Sequence, residues 1–144
     1  MTQEQKQLLL KDLCARIPNH VKVELHGEIC TCLGYFDDFV MLTSNTPMGQ
    51  QTNVANVKPY LRPLLSMTEE EKKEYHKQVD IDLDRTSEVL REQFEAGTFH
   101  PENKFTPQYC HVDWLNANHF DYRGLIPMGL ALEAPVDMYK TKSL

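Results

Sequence analysis

His111, Asp113, His119 and Asp121, with Asn116 and Asn118 among them, form the densest run of side chains able to do acid–base or metal chemistry. Histidines and carboxylates converging on one cleft can hold a divalent cation and activate water, which would make the chain a small metal-dependent hydrolase or nuclease. The spacing argues against this. On a helix, side chains share a face at three or four positions apart, whereas His111 and Asp113 are two apart. Asn118 and His119 fall where that helix should end, and Asn is a common terminator there. Capping and packing account for the cluster more simply than catalysis does.

Cys30 and Cys32, with His26 before them and Cys110-His111 far downstream, could be assembled into a zinc site. Structural zinc sites bring their thiolates as pairs with two to four residues between them. Here one residue intervenes, which on a strand turns both thiols to the same side. Two reduced cysteines filling a core face explain the pattern, and no metal is expected. Asp80, Asp82 and Asp84 alternate like a calcium loop, but Arg85 and Arg91 stand where that loop needs glycine and a bidentate acid. The phosphate-cradling glycine loops, the nucleophile elbow and the HExxH zinc motif are all missing from the sequence. No cofactor is expected, and nothing positive points to an enzyme.

Charge offers a different kind of candidate. Residues 1–66 carry six basic and six acidic side chains, and residues 67–144 carry nine and fifteen, so the net −6 lies in the second half. That balance works against nucleic acid or an anionic membrane as partner, because both need a basic face. Residues 67–95 alone hold five basic and ten acidic side chains. Glu69, Glu70, Glu71 and Glu74 there form a candidate face for a basic protein partner, or one that mimics nucleic acid. Tyr122 and Arg123 form a second candidate binding pair. Arg123 either pairs with an acid of 67–95 or projects as an anion-binding group. The pairing is favoured, since acids are abundant and a guanidinium fork suits a carboxylate. The reading is a non-enzymatic binding or adaptor protein with a protein partner.

The elements that must position these residues follow from periodicity. At 144 residues and 41% hydrophobic content the chain suits a single domain with its own core. No apolar run approaches membrane-spanning length, and the acid-containing N-terminus is a poor signal peptide, so a cytoplasmic protein is expected. Residues 3–16 form a helix, with Leu8, Leu9, Leu13 and Ile17 inward and Lys6, Lys11, Asp12 and Arg16 on the other side. Val21, Val23 and Leu25 alternate with Lys22 and Glu24 as a half-buried strand. His26-Gly27-Glu28 turns into a strand over Ile29–Leu33, Gly34 and Asp37-Asp38 interrupt, and Phe39–Thr43 is the next strand. A fourth covers Gln51–Val54. An antiparallel meander or a small SH3-like barrel is expected. Pro59 and Pro63 bar Lys58–Leu64 from an inner strand and make it a connector. Helices follow from a capping box at Ser66/Glu69 or Thr68/Glu71 to about Val79, from about Thr86 to Ala96, and from Thr106-Pro107. Asp121 caps a short further turn, with Phe120, Leu125 and Ile126 buried against Trp114 and Leu115. Tyr122 keeps its hydroxyl near water or a partner. Leu130–Leu132 closes the chain as a strand. The class is α+β: an N-terminal helix and sheet over 1–66, then a mainly helical part over 67–144 with three or four helices.

Three stretches carry a resemblance. Lys11–Arg16, Val57–Leu64 running into Ser66–Glu71, and Asp113–Asn116 continuing through His119–Ile126 to Gly129–Ala131 resemble small hypothetical proteins of gut-bacterial genomes, phages and mobile elements. The resemblance spans most of the chain but not residues 28–56. It implies an accessory role on a mobile element and supplies no activity, cofactor or catalytic residue.

Overall fold

Thr2 starts helix α1 (Gln3–Arg16) by a reciprocal cap: its hydroxyl accepts from the Gln5 N–H, and the Gln5 side chain accepts from the Thr2 N–H. Two of the donors left orphaned at the helix start are thereby satisfied. Pro18 stops the helix inside a 3₁₀ turn (Ile17–Asn19), and His20 reverses the chain with left-handed backbone at φ 58°. The computed structural model describes residues 1–44, 48–81 and 110–139, with Cys110 described in its backbone only.

The strands that follow are β1 (Lys22–Leu25), β2 (Glu28–Phe36), β3 (Phe39–Leu42), β4 (Gln50–Asn53), β5 (Lys58–Leu61) and β6 (Leu132–Glu133). They form one open sheet in the order β4-β3-β2-β1-β5-β6, antiparallel except for the β5–β6 pair. The expected meander is present, whereas the barrel is not, because β4 and β6 remain as opposite edges. The β1–β2 turn places His26 at φ 51° and Gly27 at φ 83°. Two positive φ values in succession match the twist of a two-residue hairpin.

Gly34 does not end a strand. β2 runs through it, and the register with β3 shifts between Cys32 and Gly34 so that Leu33 is an extra residue in the ladder. Such a bulge re-phases everything beyond it. Cys30 and Cys32 face inward, as their spacing on a strand requires; beyond the bulge Tyr35 pairs with inward Val40, and Phe36 pairs with outward Phe39.

β5 also departs from expectation. The segment with two prolines is a strand flanked on both sides, by β1 and by β6. Pro59 is tolerated because β6 joins only at Tyr60 and Leu61, so no partner on that side asks Pro59 for an N–H. Arg62 extends the pairing: its N–H donates to the His119 carbonyl and its carbonyl accepts from the Asp121 N–H, both at 2.8 Å.

Residues 1–66 and 116–144 make one compact unit, and residues 67–115 a second. In the first, Leu9 and Leu13 of α1 cover the inner sheet face, packing with Val23, Cys32, Val40, Leu42 and Leu61, and Leu125, Leu130 and Ala131 join that core. In the second, helix α2 begins at residue 69 and is described to 81. Thr68 and Glu71 form its capping box, while the Ser66 hydroxyl donates to the Pro63 carbonyl instead. Helix α3 (Cys110–Ala117) crosses the boundary between the units. Among the described residues these are fewer C-terminal helices than expected; the Thr86–Ala96 helix and the Thr106-Pro107 start lie outside the described residues, as do Asp82 and Asp84. No described helix is long and apolar enough to cross a membrane.

Tyr139 fastens the described C-terminal end to the sheet. Its hydroxyl accepts from the Lys22 N–H at 2.8 Å and donates to the Tyr60 carbonyl at 2.7 Å, bridging β1 and β5. Tyr139→Phe leaves both backbone groups without that partner and is expected to lower stability by about 1–3 kcal/mol, measured by urea unfolding.

Candidate functional site

Helix α1 buries Leu9, Asp12, Leu13 and Arg16. Their spacing of three and four residues is one helical stripe, half of it charged. The assignment of Asp12 and Arg16 to the solvent side is thus overturned: both are completely buried. They form a two-pronged pair, Arg16 Nε to Asp12 Oδ2 at 2.9 Å and Arg16 Nη2 to Asp12 Oδ1 at 3.1 Å. Nη2 also donates to the Phe120 carbonyl at 2.6 Å. A buried guanidinium is tolerated only with such partners, because desolvation costs several kcal/mol per ion.

Arg123 completes the cluster. Among the described residues it pairs with an acid, Asp12 of α1, at 3.4 Å; half of the acids of segment 67–95, the expected partners, lie outside the described residues. Its Nη1 also donates to the Tyr122 hydroxyl at 2.9 Å, which in turn donates to Asn116 Oδ1 at 2.9 Å. Both guanidinium groups lie near the Tyr122 ring, Arg16 at 5.4 Å and Arg123 at 4.7 Å from its centroid. The side chains reaching solvent here are Tyr122 and Arg123, both half-buried.

His119 and Asp121 flank Phe120 and are buried too. Asp121 commits both oxygens to backbone, accepting from Leu125 N–H at 2.8 Å and Ile126 N–H at 2.9 Å. It caps a tight turn, as expected, though the turn is not helical. Phe120 and Leu125 are fully buried and Ile126 partly so. His119 holds left-handed backbone at φ 58° and stacks on the Tyr139 ring at 3.8 Å. Burial, then the Arg16 charge, push its imidazole down to about 4, against a hydrogen bond to the Asn19 backbone that favours protonation. At neutral pH it is an uncharged stacking group. Among the described residues, neither its Nδ1 nor the Nη1 of Arg16, both buried, has a hydrogen-bond partner.

His111 and Asp113 belong to the helical unit. His111 lies edge-on to Tyr75 at 6.2 Å, and Asp113 is exposed. Trp114, expected as core, is half-buried, with its ring 5.8 Å from Tyr75. Cys30 and Cys32 are both buried on the inner sheet face, and burial raises Cys32 to about 11 and Cys30 in the same direction. These are protonated fillers at neutral pH. Among the described residues, no three His, Cys, Asp or Glu side chains are placed to hold a metal ion. The acidic run on α2 is partly committed: Glu71 caps the helix, Glu69 pairs with Lys72 at 3.1 Å, and Glu74 accepts from Gln78 at 3.1 Å.

The surface that composition did not disclose is the outer face of the sheet. Ile29, Leu33 and Phe36 of β2 and Phe39 and Met41 of β3 are all exposed, Phe36 at 68% and Ile29 at 59%. Register puts them on one face: Phe36 opposite Phe39, and Gly34 opposite Met41. Counting apolar residues on both sides of each strand, rather than on one, is the signal that would have found it. Comparison with protein-family models, with curated proteins and with solved structures returned no match.

Two measurements follow from the buried cluster. Asp12→Ala leaves the Arg16 charge buried without its main partner and is expected to cost about 3–5 kcal/mol. The double change Asp12→Leu with Arg16→Met should recover most of that loss in the same unfolding assay. For His119 the unfolded chain takes up a proton near pH 6.5 and the native state only near pH 4. Stability is therefore full above pH 6.5 and falls by about 3 kcal/mol as pH drops to 4. His119→Asn, which tolerates the left-handed backbone, should flatten that slope in urea titrations run at each pH.

Proposed function

We propose that the chain is a non-enzymatic protein-binding module that engages its partner through the outer face of the sheet. One observation carries this: five large apolar side chains, Ile29, Leu33, Phe36, Phe39 and Met41, stand exposed side by side on β2 and β3. Together they present roughly 600 Å² of apolar surface, at the upper end of what monomeric proteins leave open. Polar residues flank them, Lys22 and Glu24 of β1 on one side and Gln51 and Asn53 of β4 on the other, and Thr31 stands between Ile29 and Leu33 on β2. An apolar centre inside a polar rim is the anatomy of a protein interface.

The hydrolase or nuclease reading has less support, since Asp121 and His119 are committed to holding a turn and a stack. The acidic segment of α2 is a less specific surface, because three of its four acids already serve the helix. The resemblance to small proteins of phages and mobile elements supports an accessory rather than a metabolic role.

Affinity recovery from a lysate of the source organism tests the reading. Wild-type protein should retain a partner that Phe36→Thr with Phe39→Thr loses, with the variant's melting temperature close to wild type because both positions face outward. Charge reversal at Glu69, Glu70 and Glu74 should leave recovery intact. Recovery that survives the sheet variant and disappears with the reversal would assign binding to α2 instead.

A further inference from the structure

We infer that the outer sheet face is a self-recognition surface on which a second copy of this chain docks about a two-fold axis, an inference that rests on reading that face as the binding surface.

The first support is the distribution of charge around the apolar strip. Phe36 and Phe39 lie next to the β2–β3 hairpin tip, which carries Asp37 and Asp38. At the other end Ile29 adjoins Glu24 of β1, which pairs with Lys58 of β5, and Lys22 lies one outward position along β1. Lys22 is on the outer face beyond doubt of register, since its ammonium group donates to the Thr31 hydroxyl at 2.6 Å. The strip thus runs from an acidic tip to a corner where Lys22 and Lys58 stand beside Glu24, with Glu28 in the adjoining hairpin. A second copy, turned end for end, sets each Asp37-Asp38 tip over the other copy's Lys22 and Lys58. Complementarity of this kind fixes register more than it adds affinity.

Area is the second support. Two copies covering this strip remove on the order of 1,200 Å² in total, which reaches the lower bound for a specific interface before any polar rim is counted. Two sheet faces packing at the usual small angle bring such strips into register without moving either backbone. In an isologous contact every residue is used twice, so one modest patch suffices for both partners. The expected product is a weak, concentration-dependent dimer.

Sedimentation equilibrium across the micromolar range tests this on the full chain. Wild type should shift from the 16.7 kDa monomer toward twice that mass. Phe36→Thr, at the centre of the patch, should weaken association at least about tenfold while leaving the melting temperature near wild type. Asp38→Lys and Lys58→Glu should each weaken it about three- to tenfold, and the two together should restore it, because the swapped charges again meet across the two-fold. A chain that stays monomeric at every concentration overturns the inference. If the sheet variant then still loses a heterologous partner in the affinity experiment, the broader reading stands; if no partner is recovered by any form, both fall. A dimer untouched by Phe36→Thr places the contact elsewhere, and a double variant no better than its parents overturns the end-for-end arrangement.

Discussion

A guanidinium sealed inside the protein sets the terms for its sheet unit. Arg16 has no solvent to hydrate it, so its charge must be met by groups that the fold brings and holds in place. Asp12 supplies the counter-charge from one turn earlier on the same helix, which makes the pair local and independent of tertiary structure. The third contact is not local. Phe120 lies 104 residues further along, and its carbonyl reaches Arg16 only when the chain returns past the edge of β5. The ion pair therefore ties the first helix to the last described segment of the chain. It stabilises little by itself, since an apolar pair of similar volume could fill the same space. What it contributes is selection among packings, because any arrangement that leaves Arg16 without Phe120 is heavily penalised.

That requirement explains which parts of the fold were legible beforehand. Features decided by neighbours in sequence were readable: the span of α1, the alternation in β1, the capping box of α2, the common side of Cys30 and Cys32, and the Asp121 cap. Asp12 and Arg16 were misplaced because the amphipathic rule sends charges to solvent, and it fails when two charges neutralise each other on the buried stripe. Arg123 was expected to pair with an acid of segment 67–95; the partner described is Asp12 of α1, which no local pattern singles out. β5 was hidden by Pro59, whose missing donor matters only if a neighbour needs it. The apolar outer face was hidden because each of its residues sits in a strand whose other face is also apolar.

The residues that look most like chemistry turn out to be fasteners. His119 stacks on Tyr139, Asp121 holds Leu125 and Ile126, and Tyr139 bridges two strands. Each satisfies backbone or ring surface that would otherwise be stranded near the sheet edge, where β6 contributes only two residues. A short parallel strand makes few ladder bonds, so side-chain ties at this edge carry part of the work of holding the sheet. These groups are thus committed to holding the fold at this edge of the sheet, whereas Ile29, Leu33, Phe36, Phe39 and Met41 stand exposed on its outer face.

The bulge at Leu33 has a consequence for how the sequence can vary in length. Everywhere else in β2, losing one residue would slip the ladder and turn the following side chains through to the wrong face. At Leu33 the ladder already counts one residue too many, with Cys32 paired to Leu42 and Gly34 to Met41 on either side. A one-codon deletion at that position leaves every flanking pair where it was. Drift in chain length can therefore be absorbed in the middle of the sheet at this single point, without passing through an unfolded intermediate on the way from one length to the other.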